Sequence, residues 1–353
     1  MKKLFLHIGS HKTATTAIQT ALFARRDELK QHGLSVFVTP RSRTDKETSC
    51  ANSWIDCPSA DIRKGVGAYI RDLVGLKERL ASLPGDVVLS AENFSWLFSK
   101  DEIDRLAEHV REIFEEVQII VYLRRQDRQA ISHHQEGAKL LAQAARAYYS
   151  GGGRALPSGR DHYDEYLDYH ARLRLWGDAF GFDRVTVRLF EPARLKDGDP
   201  VVDFFECLGV PVECKMERVN ESYGFQRTKL GHLLGQYPRG SLTTMLRELP
   251  DAGHKLLPSR EDALAFYDRY RASNRELNDL FKLTSTESLF EDDFSFYPEC
   301  AEDQWDEESA TKALKDVLDA IDGLSVSAFV RYKIRGACQM LRNRVRQFRN
   351  GRH

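Results

Sequence analysis

The sequence predicts an α/β fold in which a mostly parallel central sheet is flanked by helices and followed by a helical C-terminal part. Short apolar runs alternate along the chain with segments of helical periodicity. The segments between successive runs are long enough for right-handed βαβ crossovers, which produce parallel strands covered on both faces. With 353 residues, 42% of them hydrophobic, the chain can bury a sizeable core.

The chain opens with a predicted strand, turn and helix. Residues 4–8 form an apolar run that predicts a short buried strand, and residues 17–32 have the amphipathic pattern of a helix. Gly33 is typical of a residue that ends a helix, and residues 34–39 predict a second strand. Residues 41–58 have no usable period, so we predict a surface loop there, of a length that often covers an active-site mouth.

Strands and helices continue to alternate beyond this loop. Three later apolar runs predict strands, at residues 87–89, 117–123 and 185–190. Helical periodicity predicts the other elements: residues 66–80, residues 101–116, a helix opened by the run RRQDRQAISHHQ, and residues 228–249 (interrupted at Pro238), 260–282 and 307–321.

Polar residues directly follow three of the predicted strands. These clusters are residues 9–16, 90–92 and 124–132. Parallel strands present their carboxyl ends at one edge of a sheet, and ligands of open α/β sheets bind outside that edge. We therefore expect the three clusters to contribute to one site.

Residues 9–16, GSHKTATT, have the composition of an anion-binding turn. Backbone N–H groups at a helix N-terminus attract anions, and a lysine with several threonine hydroxyls strengthens such a site, so a phosphate is the expected ligand. The turn is not a Walker A loop, because His11 rather than glycine precedes Lys12. The alternative is a polar strand-to-helix turn capped by a threonine.

The run HIGSHKTATT resembles the 5′-phosphosulfate loop of sulfotransferases that use 3′-phosphoadenosine 5′-phosphosulfate (PAPS), usually Lys-x-Gly-Thr-Thr or Lys-Thr-Gly-Thr-Thr. Ala14 stands where the family normally has glycine. Alanine costs on the order of 1 kcal/mol if that position needs a positive φ, and little if it is helical. The resemblance implies that the donor is bound by His11, Lys12, Thr13, Ala14, Thr15 and Thr16.

A second motif follows the fourth predicted strand. Arg124 and Ser132 lie eight residues apart in YLRRQDRQAIS, which resembles the 3′-phosphate motif of PAPS sulfotransferases. A guanidinium suits a terminal phosphate because it can form two parallel hydrogen bonds to it. Arg125 is the neighbouring candidate if the register shifts by one. The alternative is a salt-bridged arginine at the sheet edge beside a serine on the helix surface.

Glu92 follows its strand at the position where the family often carries a general base. Sulfonyl transfer requires removal of a proton from the acceptor hydroxyl, and a carboxylate can accept it. His11, His133 and His134 are the rival bases. The alternative is that Glu92 caps or salt-bridges a loop. The resemblance also implies that Lys12 neutralises charge on the bridging oxygen as the sulfonyl group leaves.

The resemblance implies a P-loop NTPase-like sulfotransferase domain over residues 1–300, with helical elements from about residue 225 completing the acceptor side. It implies PAPS as donor, PAP as product, no metal, and a hydroxyl acceptor that we expect to be a carbohydrate or glycan. Tryptophans suited to stacking on such an acceptor, or equally to the core, are Trp54, Trp96 and Trp176. The rival interpretations are an atypical ATP-dependent P-loop kinase with Glu92 as a Walker-B-like carboxylate, and a degenerate nucleotide-binding module without catalysis.

Residues 301–353 are predicted to form a helical extension that ends in a basic amphipathic tail. The net charge is −1, but residues 331–353 hold eight of the 52 Lys and Arg and no acid, so the remainder has 44 bases against 53 acids, or −9. The tail could contact an anionic membrane, a polyanionic glycan or an acidic protein surface. Specific nucleic-acid binding is not expected, because no recognised module accompanies the tail.

Cysteine usage and hydropathy favour a cytoplasmic protein. The six cysteines form no C-x-x-C pair, so neither a zinc site nor a disulfide framework is predicted. No stretch is apolar enough to span a membrane or to act as a signal peptide. We expect a cytoplasmic location, with the tail allowing a peripheral position at the inner membrane face.

Overall fold

A computed structural model describes residues 2–40, 47–57, 67–140, 153–157, 162–210, 223–234, 246, 249 and 254–322. The described residues form two compact units. The first comprises those within Met1–Gln129, Ser158–Asn220 and Leu264–Asp293. The second comprises those within Ala130–Pro157, Glu221–Ala263 and Phe294–His353. The predicted division into residues 1–300 and 301–353 stays a prediction, and the basic tail lies outside the described residues.

The first unit is built on a five-stranded parallel sheet, which confirms the predicted fold class. Its five strands are β1 (Lys3–His7), β2 (Leu34–Val36), β7 (Asp86–Ser90), β8 (Glu116–Leu123) and β9 (Val185–Leu189). They lie in the order β2-β7-β1-β8-β9 across the sheet. The remaining short strands form two antiparallel pairs, β3 (Thr39–Pro40) with β4 (Glu47–Thr48), and β5 (Ile55–Asp56) with β6 (Tyr69–Ile70).

The apolar composition of the central strands follows from their position in this sheet. In β1 the side chains of Leu4, Phe5 and Leu6 are all buried, because helices cover both faces of a parallel sheet. Phe5 lies in a core that also contains helix residues Ile18 and Leu22 and, from another helix, Phe204. The strands therefore read as unbroken apolar runs in the sequence.

Helices account for most of the other described residues. They are α1 (Thr15–Ala24), α2 (Arg26–Gln31), α3 (Leu73–Ala81), α4 (Lys100–Arg111), α5 (Gln126–Leu140), α6 (His162–Leu167), α7 (Tyr169–Phe180), α8 (Pro200–Cys207), α9 (Phe225–Leu234), α10 (Arg260–Asp268), α11 (Arg271–Phe281) and α12 (Glu307–Asp322). Side-chain caps mark several N-termini: Asp72 accepts from Gly75 N–H at α3, and Asp168 accepts from Ala171 N–H at α7.

Several predicted boundaries were wrong. The predicted helix 17–32 is two helices, separated at Arg25. The predicted helix 66–80 begins only at Leu73, because Tyr69 and Ile70 pair with strand β5 instead. The predicted helix 260–282 is also two helices. Periodicity located these helices correctly but could not show where a strand pairing or a break between helices interrupts them.

Long-range contacts to one carboxylate and one lysine organise the second unit. Asp303 is buried and accepts a hydrogen bond from the backbone N–H of Ala155 at 2.8 Å. The Lys229 ammonium group donates to the carbonyls of Gly153 and Asp303, and burial lowers the pKa of Lys229.

Within the part of the chain that the structure describes, no helix is long and apolar enough to cross a bilayer.

Candidate functional site

The turn after β1 lies beside the segment that follows β7. The register places His7 opposite Ser90, and the backbone N–H of Ala91 donates to the carbonyl of His7 at 3.0 Å. Gly9 has a φ of 92°, and a Cβ at this position would lie 3.0 Å from the Cα of Glu92. Glycine is therefore required here, both for the backbone conformation and for the close approach of Glu92.

The same turn is hydrogen-bonded to β8 on its other side. The N–H of Tyr122 donates to the Gly9 carbonyl at 2.9 Å, and the N–H of Ser10 donates to the Tyr122 carbonyl at 3.1 Å. The Thr13 hydroxyl, which is buried, donates to the carbonyl of Ser10 at 2.6 Å. The backbone of the turn is thus fixed by the two strands that flank β1.

The helix that follows the turn begins without a side-chain cap. Ala14 occupies the N-cap position of α1 in a left-handed conformation, with φ 62° and ψ 21°, and the first turn of α1 contains no acidic residue. Lys12 is also left-handed, with φ 62°. Alanine at this φ costs roughly 1–2 kcal/mol relative to a residue without a Cβ. The uncapped helix N-terminus fits an anion.

Lys12 and the threonines of the turn differ in exposure. Lys12 is half-buried, Thr15 is buried and Thr16 is exposed. Thr15 and Thr16 are the first two residues of α1. The lysine and the start of the helix therefore belong to one short segment, and the turn has the donors that a phosphate requires.

Arg124 and Arg125 have different environments. Arg124 is half-buried and donates a hydrogen bond to the carbonyl of Lys12 at 3.4 Å. Arg125 is buried and donates two hydrogen bonds to the Asp127 carboxylate, at 2.8 and 2.9 Å. It also donates to the carbonyls of residues 291 and 293. Arg125 is committed to the fold, so Arg124 is the better anion-binding candidate.

Ser132 lies on α5 and is half-buried. It follows the start of that helix by six residues, within the second turn. Its convergence with Arg124 on one anion stays a prediction.

Glu92 is held in a defined orientation at the end of β7. The Gln19 side-chain amide donates to its Oε2 at 2.6 Å, and the Ser95 hydroxyl donates to its backbone carbonyl at 2.5 Å. The carboxylate is half-buried. Gln19 also donates to the Ser90 hydroxyl, which contacts His7 Nδ1 at 2.8 Å. Glu92 thus ends a hydrogen-bonded chain that leads back to β1.

His11 is buried and uncharged at neutral pH. Its backbone N–H donates to the Tyr166 hydroxyl at 3.0 Å, and its ring Nδ1 lies 3.1 Å from the Ser95 hydroxyl. Burial lowers the pKa of His11 to about 4; the charge of Glu92 opposes this, while Arg172 and Lys12 lower it further. A base must become cationic when it accepts a proton, and these surroundings disfavour that for His11.

Most of the remaining candidates, the two other rival bases and the tryptophans suited to stacking, are buried. His133 and His134 are buried in the second unit, and His134 stacks on His232 with ring centroids 3.9 Å apart. Trp96 and Trp176 are buried core residues, whereas Trp54 is half-buried. Neither of the two buried tryptophans is positioned to stack on a ligand from solvent.

Sequence reasoning missed the side chains that support the turn from behind. The amide of Gln129 donates to the His11 carbonyl at 2.7 Å, and the Arg172 guanidinium donates to the Ser10 hydroxyl at 2.8 Å. A signal for Arg172 was present, because it lies at helical spacing among Tyr169, Leu173 and Trp176, all buried. An arginine on such an apolar helix face requires an explanation.

Known proteins that are similar to this chain include one relative by sequence and one solved structure. No family model matches the sequence. An uncharacterized protein from Archaeoglobus fulgidus is 24% identical over 212 residues, which is 56% of this chain and 55% of that protein, so the chain spans about half the length of the relative it matches. A crystal structure of a sulfotransferase from Alicyclobacillus acidocaldarius is similar over 80% of this chain and 96% of that chain, with 16% identity and a TM-score of 0.38. The fold assignment rests on the five-stranded parallel sheet.

Proposed function

We propose that this protein is a sulfotransferase that moves the sulfonyl group of PAPS to a hydroxyl group of an acceptor and releases PAP. The observation that carries the proposal is the meeting of three polar segments at one edge of a parallel sheet. Gly9 packs against Glu92, and Arg124 donates to the carbonyl of Lys12. A lysine, a carboxylate and an arginine are the groups that this transfer needs.

The donor's two anionic groups are assigned to two parts of the site. In the proposal, Lys12 and the N-terminus of α1 bind the 5′-phosphosulfate, with Thr15 and Thr16 adding hydroxyl donors. Arg124 and Ser132 bind the 3′-phosphate, which distinguishes PAPS from ATP. The uncapped helix and the absence of an acidic residue in its first turn support this assignment.

Glu92 is the proposed general base. PAPS supplies an activated sulfonyl group; Glu92 accepts the proton of the acceptor hydroxyl as the hydroxyl oxygen bonds to sulfur and the bond from sulfur to the bridging oxygen breaks. Lys12 stabilises the negative charge that develops on that bridging oxygen. Gln19 fixes the orientation of the carboxylate, and His11 is less suited to the task because burial disfavours its cationic form.

We retain a carbohydrate or glycan as the proposed acceptor. With Trp96 and Trp176 buried, stacking on a sugar ring falls to Trp54 among the three candidates. The proposal also includes a cytoplasmic location and contact of the basic tail, residues 331–353, with an anionic surface. These parts rest on the sequence alone.

The test is a direct transfer assay with PAPS and a panel of hydroxyl acceptors that includes oligosaccharides. We expect PAP release and a sulfated product with the wild-type protein, and loss of both with Lys12→Ala, which removes the lysine of the turn. Lys30→Ala is the matched control, since Lys30 is exposed in the last turn of α2. Unchanged turnover with Lys12→Ala would contradict the proposal, and so would phosphate transfer from ATP in place of sulfonyl transfer.

A further inference from the structure

Arg172 is a buried cation behind the anion-binding turn. It lies on α7, and only 2% of its surface is exposed. Within the described ranges, no carboxylate lies at ion-pair distance from its guanidinium. By contrast, Arg125, also 2% exposed, forms a bidentate ion pair with Asp127. Arg172 is therefore a buried charge without an acidic partner among the described residues.

Neutral groups surround the Arg172 guanidinium. It donates to the Ser10 hydroxyl at 2.8 Å and to the Tyr166 carbonyl at 2.9 Å. Its central carbon lies 4.8 Å from the ring centroid of Tyr166 and 5.2 Å from that of Tyr169. Its Nε has no hydrogen-bond acceptor in the described part of the chain. Hydrogen bonds and aromatic faces offset part of the cost of burying the charge.

The remaining cost has a physical consequence. Transfer of an ion out of water costs several kcal/mol after relaxation, and a nearby opposite charge is the usual compensation. Ser10, which accepts the Arg172 hydrogen bond, belongs to the same turn as Lys12 and precedes the N-terminus of α1. An anion bound in this turn would supply a negative charge to the segment that Arg172 contacts through Ser10, and both of these residues are buried, so solvent screens the charges weakly.

We infer that Arg172 is a positioning residue of the anion site: it holds Ser10 at the base of the turn and contributes a buried positive charge that a bound phosphate neutralises. The inference rests on the proposed function only in taking residues 9–16 as the site of an anion. The reach of this charge into the turn is also seen at His11, whose pKa it helps to lower.

The inference predicts a loss of affinity that depends on charge. We expect Arg172→Gln to weaken binding of inorganic pyrophosphate and of PAP by about tenfold or more, measured by calorimetry. Arg172→Lys keeps the charge and is expected to stay within a few-fold of the wild type. Arg79→Gln removes the same charge from an exposed position in the last turn of α3 and serves as the control.

A second measurement separates this role from a purely structural one. Pyrophosphate should raise the Tm of the wild-type protein and of Arg172→Lys by similar amounts, and raise that of Arg172→Gln much less. If Arg172→Gln does not fold, weak pyrophosphate binding by a folded Arg172→Lys would overturn the inference. Equal affinity and an equal Tm increment in Arg172→Gln and wild type would also overturn it. Pyrophosphate carries no sulfonyl group, so this binding test does not depend on sulfonyl transfer. A protein that binds pyrophosphate as expected but transfers no sulfonyl group would contradict the proposed function and leave the role of Arg172 intact.

Discussion

Two buried charged clusters of the first unit differ in how their charges are compensated. Asp203 is fully buried and accepts hydrogen bonds from the Tyr122 hydroxyl at 2.7 Å and from Arg188 Nε at 2.9 Å. The backbone N–H of Lys196 donates to the same carboxylate at 2.8 Å. Around the turn at residues 9–16, the buried Arg172 has only neutral partners among the described residues.

Strand β8 contributes to both clusters, with different atoms of the same residue. The side chain of Tyr122 bonds to Asp203, while its backbone bonds to Gly9 and Ser10. Burial, reinforced by the charge of Asp203, raises the pKa of the Tyr122 hydroxyl, which stays protonated as a donor. The two clusters differ in role: the ion pair of Asp203 with Arg188 stabilises the fold, whereas the role proposed for Arg172 is to favour an anion in the turn.

The largest expected effect concerns catalysis. Glu92→Gln keeps the shape of the side chain but removes the proton acceptor, so we expect kcat to fall by roughly 10²-fold or more while PAP affinity stays within a few-fold of wild type. Steady-state kinetics and calorimetry measure the two quantities. Collapse of PAP binding would instead make Glu92 a structural partner of the turn.

Asp203→Asn is the matched change in the compensated cluster. It leaves the partly exposed Arg188 without its carboxylate, so we expect it to lower the free energy of unfolding by roughly 1.5–3 kcal/mol. The activity of the folded fraction should be unchanged. A selective loss of kcat with Asp203→Asn would remove the distinction between the two clusters.

A smaller effect is expected on ligand selectivity. Arg124→Ala should weaken PAP binding by about tenfold or more, because a charged hydrogen bond to a phosphate is lost, and should weaken adenosine 5′-phosphosulfate binding much less. Calorimetry with the two ligands gives the comparison. Equal losses of affinity for both ligands would mean that Arg124 has a structural role and does not bind the 3′-phosphate.

The two buried histidines of this region predict a pH dependence of stability. Burial lowers the pKa of His7 to about 3 and that of His11 to about 4, both from 6.5. Between pH 4 and 6.5 the unfolded chain therefore binds more protons than the folded protein, so stability falls as the pH falls through this window. Each histidine contributes up to about 1.4 kcal/mol per pH unit.

Denaturant unfolding at several pH values measures this slope. His7→Gln should reduce the slope between pH 4.5 and 6.5, whereas the exposed His32→Gln should leave it unchanged. An unchanged slope in His7→Gln would mean that the His7 ring is solvated and titrates normally.

The smallest expected effect concerns the backbone of the turn. Ala14→Gly removes the Cβ from a residue with φ 62°, so we expect the free energy of unfolding to rise by up to about 1 kcal/mol, after allowance for the greater flexibility of unfolded glycine. Ala17→Gly, in the helical part of α1, should lower it by roughly 0.5–1 kcal/mol. The same sign for both changes would contradict the left-handed conformation of Ala14.

Local patterns in the sequence predicted much of the fold. Apolar runs predicted each of the five strands of the sheet, and the strand ends predicted that the turn at residues 9–16 would lie beside Glu92 and Arg124. This worked because buried parallel strands have a distinct composition and because their carboxyl ends share one edge. The φ of Ala14 could not be predicted, since alanine has no preference for a left-handed conformation.

Contacts between distant parts of the chain could not be predicted either. Tyr166 reaches His11 across 155 residues, and the carbonyl partners of Arg125 lie more than 160 residues away from it. No short-range pattern encodes such contacts, so the sequence left Arg124 and Arg125 as alternatives. The position of Arg172 on an apolar helix face was visible, but its hydrogen bond to Ser10 required the tertiary structure.

Calorimetric titration of the wild-type protein with PAP, and separately with ATP and Mg²⁺, shows whether the site is built for PAPS. We expect PAP to bind at least about tenfold more tightly than ATP, and Arg124→Ala to remove most of this difference, because only PAP carries the 3′-phosphate. Tighter binding of ATP, or no binding of PAP, would contradict PAPS as the donor.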